Sequence, residues 1–479
     1  MNHRMIVKML GRVLCLETVL VLVPMVVSIC YHESPWPFLI TAVITGAAGL
    51  LLSRVKATRS DIYAREGFVI VVLSWIVLSL LGTLPFLLSG EIPRFIDALF
   101  ETVSGFSTCG ATILTDIEGL SRGCLFWRSL THWLGGMGVL VFIMAVMPMA
   151  GEYSMHIMRA EFTGPSVGKL VPRARKTAII LYLIYIGMTA VEAILLVLGP
   201  MNWFDAVLHA FSTAGTGGFS TRNASVGAFS STYVDIVISV FMLLFGINFN
   251  LYFFLLIGKF KAFWKNEELR VYLGIIVFAT ATISLCIRAS YTVFGEALRD
   301  AFFQVMAIIS TTGLVTADFN LWPEYARWLL VILMFSGACA GSTSGGMKIS
   351  RVLILFKAAQ AELRRMLHPR SVNLVQIDGK LVDGPTVRTT LAFLVMYMVI
   401  LLLSTLIVSL DGFDLETNFT ASLACLSSIG PGLSMVGATG NFAMFSWLSK
   451  LVLSFCMLLG RLEIFPVMML FSPHTWKRG

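Results

Sequence analysis

Charge is what this chain has least of: only 13% of its 479 residues are Asp, Glu, Lys or Arg, against 57% that are hydrophobic. Soluble domains carry about a quarter charged residues, so a water-facing globular class is excluded. Catalytic signatures are missing too. There is no HExxH, GxSxG or Walker A string, and the nearest approach, Gly341-Ser-Thr-Ser-Gly345, puts threonine where the nucleophile should stand. No enzyme is expected. The eight cysteines are scattered, without a CxxC pair or a Cys/His cluster, which argues against both a disulfide framework and a zinc site.

What the chain does have is apolar length. Stretches of about 20 mainly apolar residues recur throughout, for example Phe68 to Leu88, Leu125 to Pro148 and Ile179 to Leu198, and each is long enough to cross hydrocarbon as a helix. By that criterion there are roughly ten crossings. The first, Leu14 to Cys30, follows Arg4, Lys8 and Arg12 as a signal peptide would, but its exit through Tyr31 to Pro37 lacks a small-residue cleavage pattern, so it reads as a retained span. Basic residues fall on alternate loops: Arg54 to Arg65, Arg159 to Lys176, Lys259 to Arg270 and Arg351 to Arg388 on one side, with only scattered Arg and one Lys on the other. The positive-inside rule then places both termini in the cytoplasm. This asymmetry accounts for the net charge of +8, and no nucleic-acid surface is expected.

Internal repetition is the most specific signal. Three segments between spans share an Asp, a short apolar run, and Ser/Thr residues ending in glycine: Asp97 to Gly110, Asp205 to Gly218 and Asp300 to Gly313, with the aspartate thirteen residues before the glycine each time. A looser fourth copy runs from Asn418 to Gly430-Pro431-Gly432, with the counterpart glycine open between Gly430 and Gly432. In the second copy the thirteen-residue spacing selects Gly218, whereas alignment on the FST strings would select Gly215. Each unit is span, half-span, span, so the four repeats run parallel and enclose a pore; inverted repeats would suggest a secondary transporter. The expected fold is an all-α membrane protein of four parallel helix–pore-loop–helix repeats, preceded by two extra transmembrane helices. The boundaries are 1–60 for the two N-terminal helices, then 61–158, 159–262, 263–366 and 367–479 for the repeats.

Non-helical backbone at membrane depth must be buried or line a watery cavity, which these Ser/Thr/Gly segments satisfy by facing one axis. Each half-span helix would start at its Asp and end toward the axis with its negative dipole end, a focus for a cation. Glycine lets carbonyl oxygens turn toward an ion, and the segments contain neither a carboxylate ring nor a basic ring. The candidate filter residues are Thr108, Cys109 and Gly110; Thr216, Gly217 and Gly218; Thr311, Thr312 and Gly313; and Ile429, Gly430, Pro431 and Gly432. Close packing of small residues is the bland alternative for any single copy.

These segments, the four-unit plan and the two features that follow resemble the Trk/Ktr/HKT superfamily of potassium transporters over nearly the whole chain. The two extra N-terminal spans and the TGGFST and GPGL strings make the TrkH type the nearer likeness. The resemblance implies one potassium pathway per subunit, a homodimer, and a cytoplasmic ring of nucleotide-binding regulatory subunits of the TrkA type; any nucleotide would act only through that partner, with no covalent cofactor. Serine at the first filter glycine accompanies sodium preference in some relatives, and Gly110 here favours potassium. A sodium-selective or sodium-coupled member of the same family remains an alternative, as does a secondary transporter of a small solute.

The first feature is the run Phe335-SGACAGSTSGGM-Lys348 in the third repeat's closing span. Each glycine in a helix interior costs about 1 kcal/mol relative to alanine, so a helix break is expected. A loop below the filter, containing Gly337, Gly341, Gly345, Gly346 and Lys348, would act as a gate, and the resemblance implies the same. The second is Arg461 inside the last span, where a charge costs about 2.5 to 3.5 kcal/mol on insertion scales. Glu463 stands two residues away and does not share its helix face. Arg461 is therefore expected to face the pore, as a barrier or bonded to gate-loop carbonyls, with an ion pair to another span as the alternative; the resemblance implies the barrier. Glu17, Glu192, His132 and His209 are expected to make local hydrogen bonds.

Overall fold

A computed structural model describes residues 2–56, 64–138, 174–370 and 374–476. Two helices, His3–Cys30 and Trp36–Ser53, form an antiparallel pair in front of the repeats. Their crossing is set by small residues: a Cβ on Gly49 would lie 2.8 Å from the Cys15 backbone nitrogen, and Thr18 and Thr45 share a hydroxyl hydrogen bond of 3.0 Å.

Four units follow, each an opening helix, a short pore helix and a closing helix around one axis. The opening helices are Ala64–Leu81, Ala174–Leu198, Glu267–Ile287 and Gly384–Val408. They are apolar on every side, and lipid takes the face the bundle leaves open, as at Val277 and Leu402. The pore helices, Phe95–Phe106, Trp203–Gly215, Phe294–Ile309 and Leu415–Ser427, are buried along their C-terminal halves.

Six single helices among the described residues are long and apolar enough to span, and two further spans are bent pairs. The second repeat closes with Thr232–Phe245 and then Phe249–Leu256, turned by 92°; the fourth closes with Trp447–Leu462 and Ile464–Phe471, turned by 120° at Glu463. Glu463 itself pairs with Arg351 at 2.7 Å. In the third repeat the closing span is interrupted between Glu324–Met334 and Ile349–Leu367. The first repeat's closing helix is described over Arg122–Met137, so the expected span to Pro148 extends outside the described residues.

The pore helices start less uniformly than their aspartates suggest. Asp97 and Asp205 do stand in first turns, Asp97 bonded to Lys450 at 2.6 Å and Asp205 to Arg222 at 2.7 Å. Asp300 sits in the second turn, because the third pore helix begins at Phe294, and it pairs with Arg299 at 3.0 Å. In the fourth, Asp414 is the N-cap, accepting from the Thr417 N–H and hydroxyl, which hold its carboxyl below the usual carboxylate range.

Candidate functional site at the pore axis

All four pore helices end in the same turn. Cys109, Gly217, Thr312 and Ile429 each donate a backbone N–H to the carbonyl five residues earlier, at 2.9 Å in every case. The residue before each, Thr108, Thr216, Thr311 or Ser428, has φ between +53° and +58° and donates to the carbonyl three residues back. This is a Schellman termination in which Thr or Ser takes the left-handed position usually given to glycine. A β-carbon there costs about 1–2 kcal/mol, so each repeat holds its turn against local preference.

Two residues on, Gly110, Gly218, Gly313 and Gly430 again have positive φ, from +71° to +95°. Each is pressed against the backbone of the next repeat. A Cβ on Gly110 would overlap the Gly217 carbonyl oxygen, one on Gly218 that of Thr312, and one on Gly313 that of Ile429; on Gly430 it would come within 2.7 Å of the Cys109 oxygen. The contacts close a ring in chain order. All four glycines also line one open cavity with Thr112, Ser220 and Asn441.

The ring settles both open registers. In the second repeat Gly218 is the counterpart of Gly110, and Gly215 is the last residue of its helix. In the fourth repeat the counterpart is Gly430, and Gly432 lies beyond the turn, its N–H donating to the Val436 carbonyl at 2.7 Å. Counting back thirteen residues reaches Thr417, not Asn418, which is why the sequence comparison came up one residue short. Ser428, absent from the sequence-based set, holds the position of Thr108, Thr216 and Thr311; its place two residues before Gly430 would have found it.

A buried support stands behind the first two turns. Arg128 bonds Glu101 at 2.6 Å and the Ser220 carbonyl at 2.9 Å, and its guanidinium lies 3.6 Å from the centre of the Phe219 ring. Glu101 also accepts from the Thr112 hydroxyl and the Ile113 N–H, so this pair is hydrogen-bonded on both sides. His132 makes the local bond expected of it, to the Gly105 carbonyl at 2.7 Å, and stacks on Phe219; His209 bonds the Asp205 carbonyl and the Ser220 hydroxyl. Glu17 departs from expectation: among the described residues its buried carboxylate oxygens have no hydrogen-bond partner. Glu192 is likewise fully buried.

Directly inward of the third and fourth turns lies the interrupted span. Its two ends are joined by the Gly337 N–H to the Met347 carbonyl at 2.5 Å, across an isolated bridge between Ser336 and Met347. The Gly345 N–H donates to the Thr311 hydroxyl at 2.7 Å, and a Cβ there would stand 2.6 Å from Ser428 Cβ. Gly341 and Gly346 adopt positive φ. The Gly341 carbonyl accepts from Phe249, and Cys339 donates to the Gly246 carbonyl, which ties the loop to the bend of the second repeat. Lys348 folds its ammonium back onto the Ser344 carbonyl and hydroxyl. Glu268, not singled out from the sequence, spans the break: one oxygen accepts from Ala340 at 2.7 Å and Ser350 at 3.0 Å.

Arg461 reaches the same loop from the fourth repeat. Its guanidinium donates to the Thr343 carbonyl at 2.6 Å and to the carbonyls of Gly135 and Gly136 at the end of the described first-repeat helix. One side chain thus links three repeats beneath the turns. Uncharged backbone turns thus form a ring on one side of the loop, and the Arg461 guanidinium is bonded on its other side.

Comparison with known proteins agrees with this architecture. The TrkH family of cation transport proteins matches residues 37–478. The Trk system potassium uptake protein TrkH of Escherichia coli K12 is 35% identical with 100% of both chains covered, and TrkG of the same organism is 34% identical over 99% of each. The crystal structure of the potassium transporter TrkH from Vibrio parahaemolyticus superposes with a TM-score of 0.90 at 34% identity, again over all of both chains. The chain therefore belongs to the TrkH family of cation transport proteins.

Proposed function

We propose that this chain carries potassium into the cell through the ring of turns at Gly110, Gly218, Gly313 and Gly430, with the 335–348 loop and Arg461 as its gate. The observation that carries this reading is the closed ring: four uncharged backbone turns, each locked on the next, in a protein whose relatives are potassium uptake systems. Backbone oxygens from Thr108, Cys109, Thr216, Gly217, Thr311, Thr312, Ser428 and Ile429 would replace the ion's hydration shell without the charge density that holds divalent ions. Arg461 would raise the electrostatic barrier inward of the ring, and displacement of the loop would clear the passage.

Both termini would lie in the cytoplasm, on the side of the basic loops. The chain would act as a homodimer spanning the cell membrane, regulated by cytoplasmic nucleotide-binding subunits of the TrkA type. Gly110, where sodium-preferring relatives carry serine, favours the potassium reading over the sodium one.

Rubidium-86 uptake into proteoliposomes, with potassium, sodium and lithium as competitors, tests this directly. Competition by potassium but not sodium is the expected result, and the residual uptake of Gly110→Ser, reduced by the added β-carbon, should discriminate less between them. Equal competition by sodium in the unmodified chain would transfer the protein to the sodium-selective branch.

A further inference from the structure

The bend in the second repeat's closing span leads to a surface that ion conduction does not use. After the 92° turn, Phe249–Leu256 runs across the direction of its own span, and the Tyr252 hydroxyl bonds the Leu244 carbonyl at 2.6 Å to hold the corner. A short helix, Phe260–Lys265, follows and ends at Asn266, whose side chain caps the 21-residue opening helix of the third repeat. That helix is about 31 Å long, enough to cross the hydrocarbon, so its start and the short helix before it lie at the membrane–water boundary.

The exposed residues here are of two kinds. Leu256, Ile257, Phe260 and Trp264 present 46% to 72% of their surface. Interleaved with them, Lys259, Lys261 and Lys265 are exposed and form no salt bridge among the described residues. The neighbouring carboxylates are already engaged, Glu267 with Lys357 at 2.5 Å and Asp378 with the Glu267 N–H at 2.6 Å. Aromatic and aliphatic side chains beside uncompensated lysines at a boundary match an acyl region topped by anionic headgroups.

We propose that residues 256–265 form a docking platform for anionic phospholipid of the cytoplasmic leaflet, and that its occupancy is transmitted to the gate loop. The route is short. The platform continues back through Phe249–Leu256 to Asn248, and the Phe249 N–H donates to the Gly341 carbonyl at 3.0 Å. A Cβ on Gly341 would lie 3.0 Å from the Asn248 side-chain oxygen, so movement of the platform is felt at the loop. The docking half stands alone; the transmission half rests on the gate reading above.

Native mass spectrometry of the full chain, offered phosphatidylglycerol and phosphatidylethanolamine together, tests docking. The unmodified protein should retain phosphatidylglycerol preferentially. A Lys259→Gln/Lys261→Gln/Lys265→Gln variant should lose about tenfold or more of that preference, and the corresponding triple arginine variant should keep it. Equal retention by the glutamine variant and the parent would overturn docking. Loss of binding to a regulatory subunit with lipid retention unchanged would instead reassign the platform to a protein partner. For transmission, rubidium flux in liposomes with and without phosphatidylglycerol should differ several-fold in the parent and be flat in the glutamine variant. Asn248→Ala should keep lipid retention but lose this dependence. Lipid-dependent flux that survives in the glutamine variant would sink the coupling, and retention measured apart from flux separates that failure from a failure of the gate reading.

Discussion

The outer and inner halves of the pore are built on different plans. Outside, four repeats make one turn four times, with the same pair of hydrogen bonds and the same left-handed positions, although the residues there are Thr, Thr, Thr and Ser followed by Cys, Gly, Thr and Ile. Inside, the described residues differ from repeat to repeat: the second repeat bends by 92°, the third breaks into a loop, and the fourth sends in Arg461 and turns by 120°. An ion binding site made of backbone oxygens needs every repeat to supply the same group at the same depth. A gate needs only one repeat to be movable, and the others must then supply unequal holds on it. On the proposed reading of ring as ion site and loop as gate, the asymmetry of the inner half follows from that difference in task.

The comparison breaks most sharply at the ring. Alanine at Gly110, Gly218, Gly313 or Gly430 combines a left-handed backbone, costing about 1–2 kcal/mol, with overlap against the next repeat, costing a further 1–3 kcal/mol. Rubidium uptake should fall about 30-fold or more for each, since about 1.4 kcal/mol is tenfold. All four should behave alike, so one tolerant position would show the outer half to be less symmetric than its hydrogen bonds suggest.

At the inner half the expected effects are smaller and of opposite sign. Arg461→Ala removes the guanidinium donor of the Thr343, Gly135 and Gly136 carbonyls, of which Gly135 keeps the Gly138 N–H, and removes the central positive charge. Each buried group left unpaired costs about 1–3 kcal/mol. Basal uptake should rise about tenfold to thirtyfold while thermal stability falls, with Arg461→Lys intermediate on both measures. Uptake that falls in parallel with stability would make Arg461 a brace only. Glu268→Ala frees both ends of the break and should raise basal uptake about tenfold; Glu268→Gln keeps an acceptor for Ala340 and Ser350 and should stay within about threefold of the parent.

The two halves were also unequally readable. The outer half announces itself because a closed turn imposes small residues at fixed spacing, and three of four repeats keep the Asp-to-Gly count. The fourth hides its register because Thr417 stands where the other three carry aspartate, and the acid near its start, Asp414, is the N-cap three residues earlier. The helix break was foreseeable from the density of glycine between Phe335 and Lys348. Its anchors were not: Glu268 is 72 residues from Ala340, and Arg461 is 326 from Gly135. Their pairing depends on how the repeats close in space, and the residue types alone, an acid at a helix start and a base in a span, have many other uses. Gly246 and Asn248 mark the first bend and Pro466 follows Glu463 by three residues, but such residues signal a helix end or kink without giving its angle.

The finest test uses one substitution in two repeats. Thr108 and Thr311 occupy the same left-handed position, at φ +55° and +58°, and valine at either keeps the β-branched shape. Only the hydroxyl differs in use: that of Thr311 accepts the Gly345 N–H at 2.7 Å, whereas that of Thr108 has no hydrogen-bond partner among the described residues. Thr311→Val should therefore loosen the loop by about 1 kcal/mol and raise basal uptake roughly fivefold. Thr108→Val should leave gating unchanged and alter only the competition between potassium and sodium. Since the two variants carry the same strain and the same lost oxygen at the ring, any difference in basal uptake between them measures the Gly345–Thr311 bond, which joins the symmetric half to the asymmetric one. Equal basal uptake would mean the loop is held from below, by Glu268 and Arg461, and the ring plays no part in closing the gate.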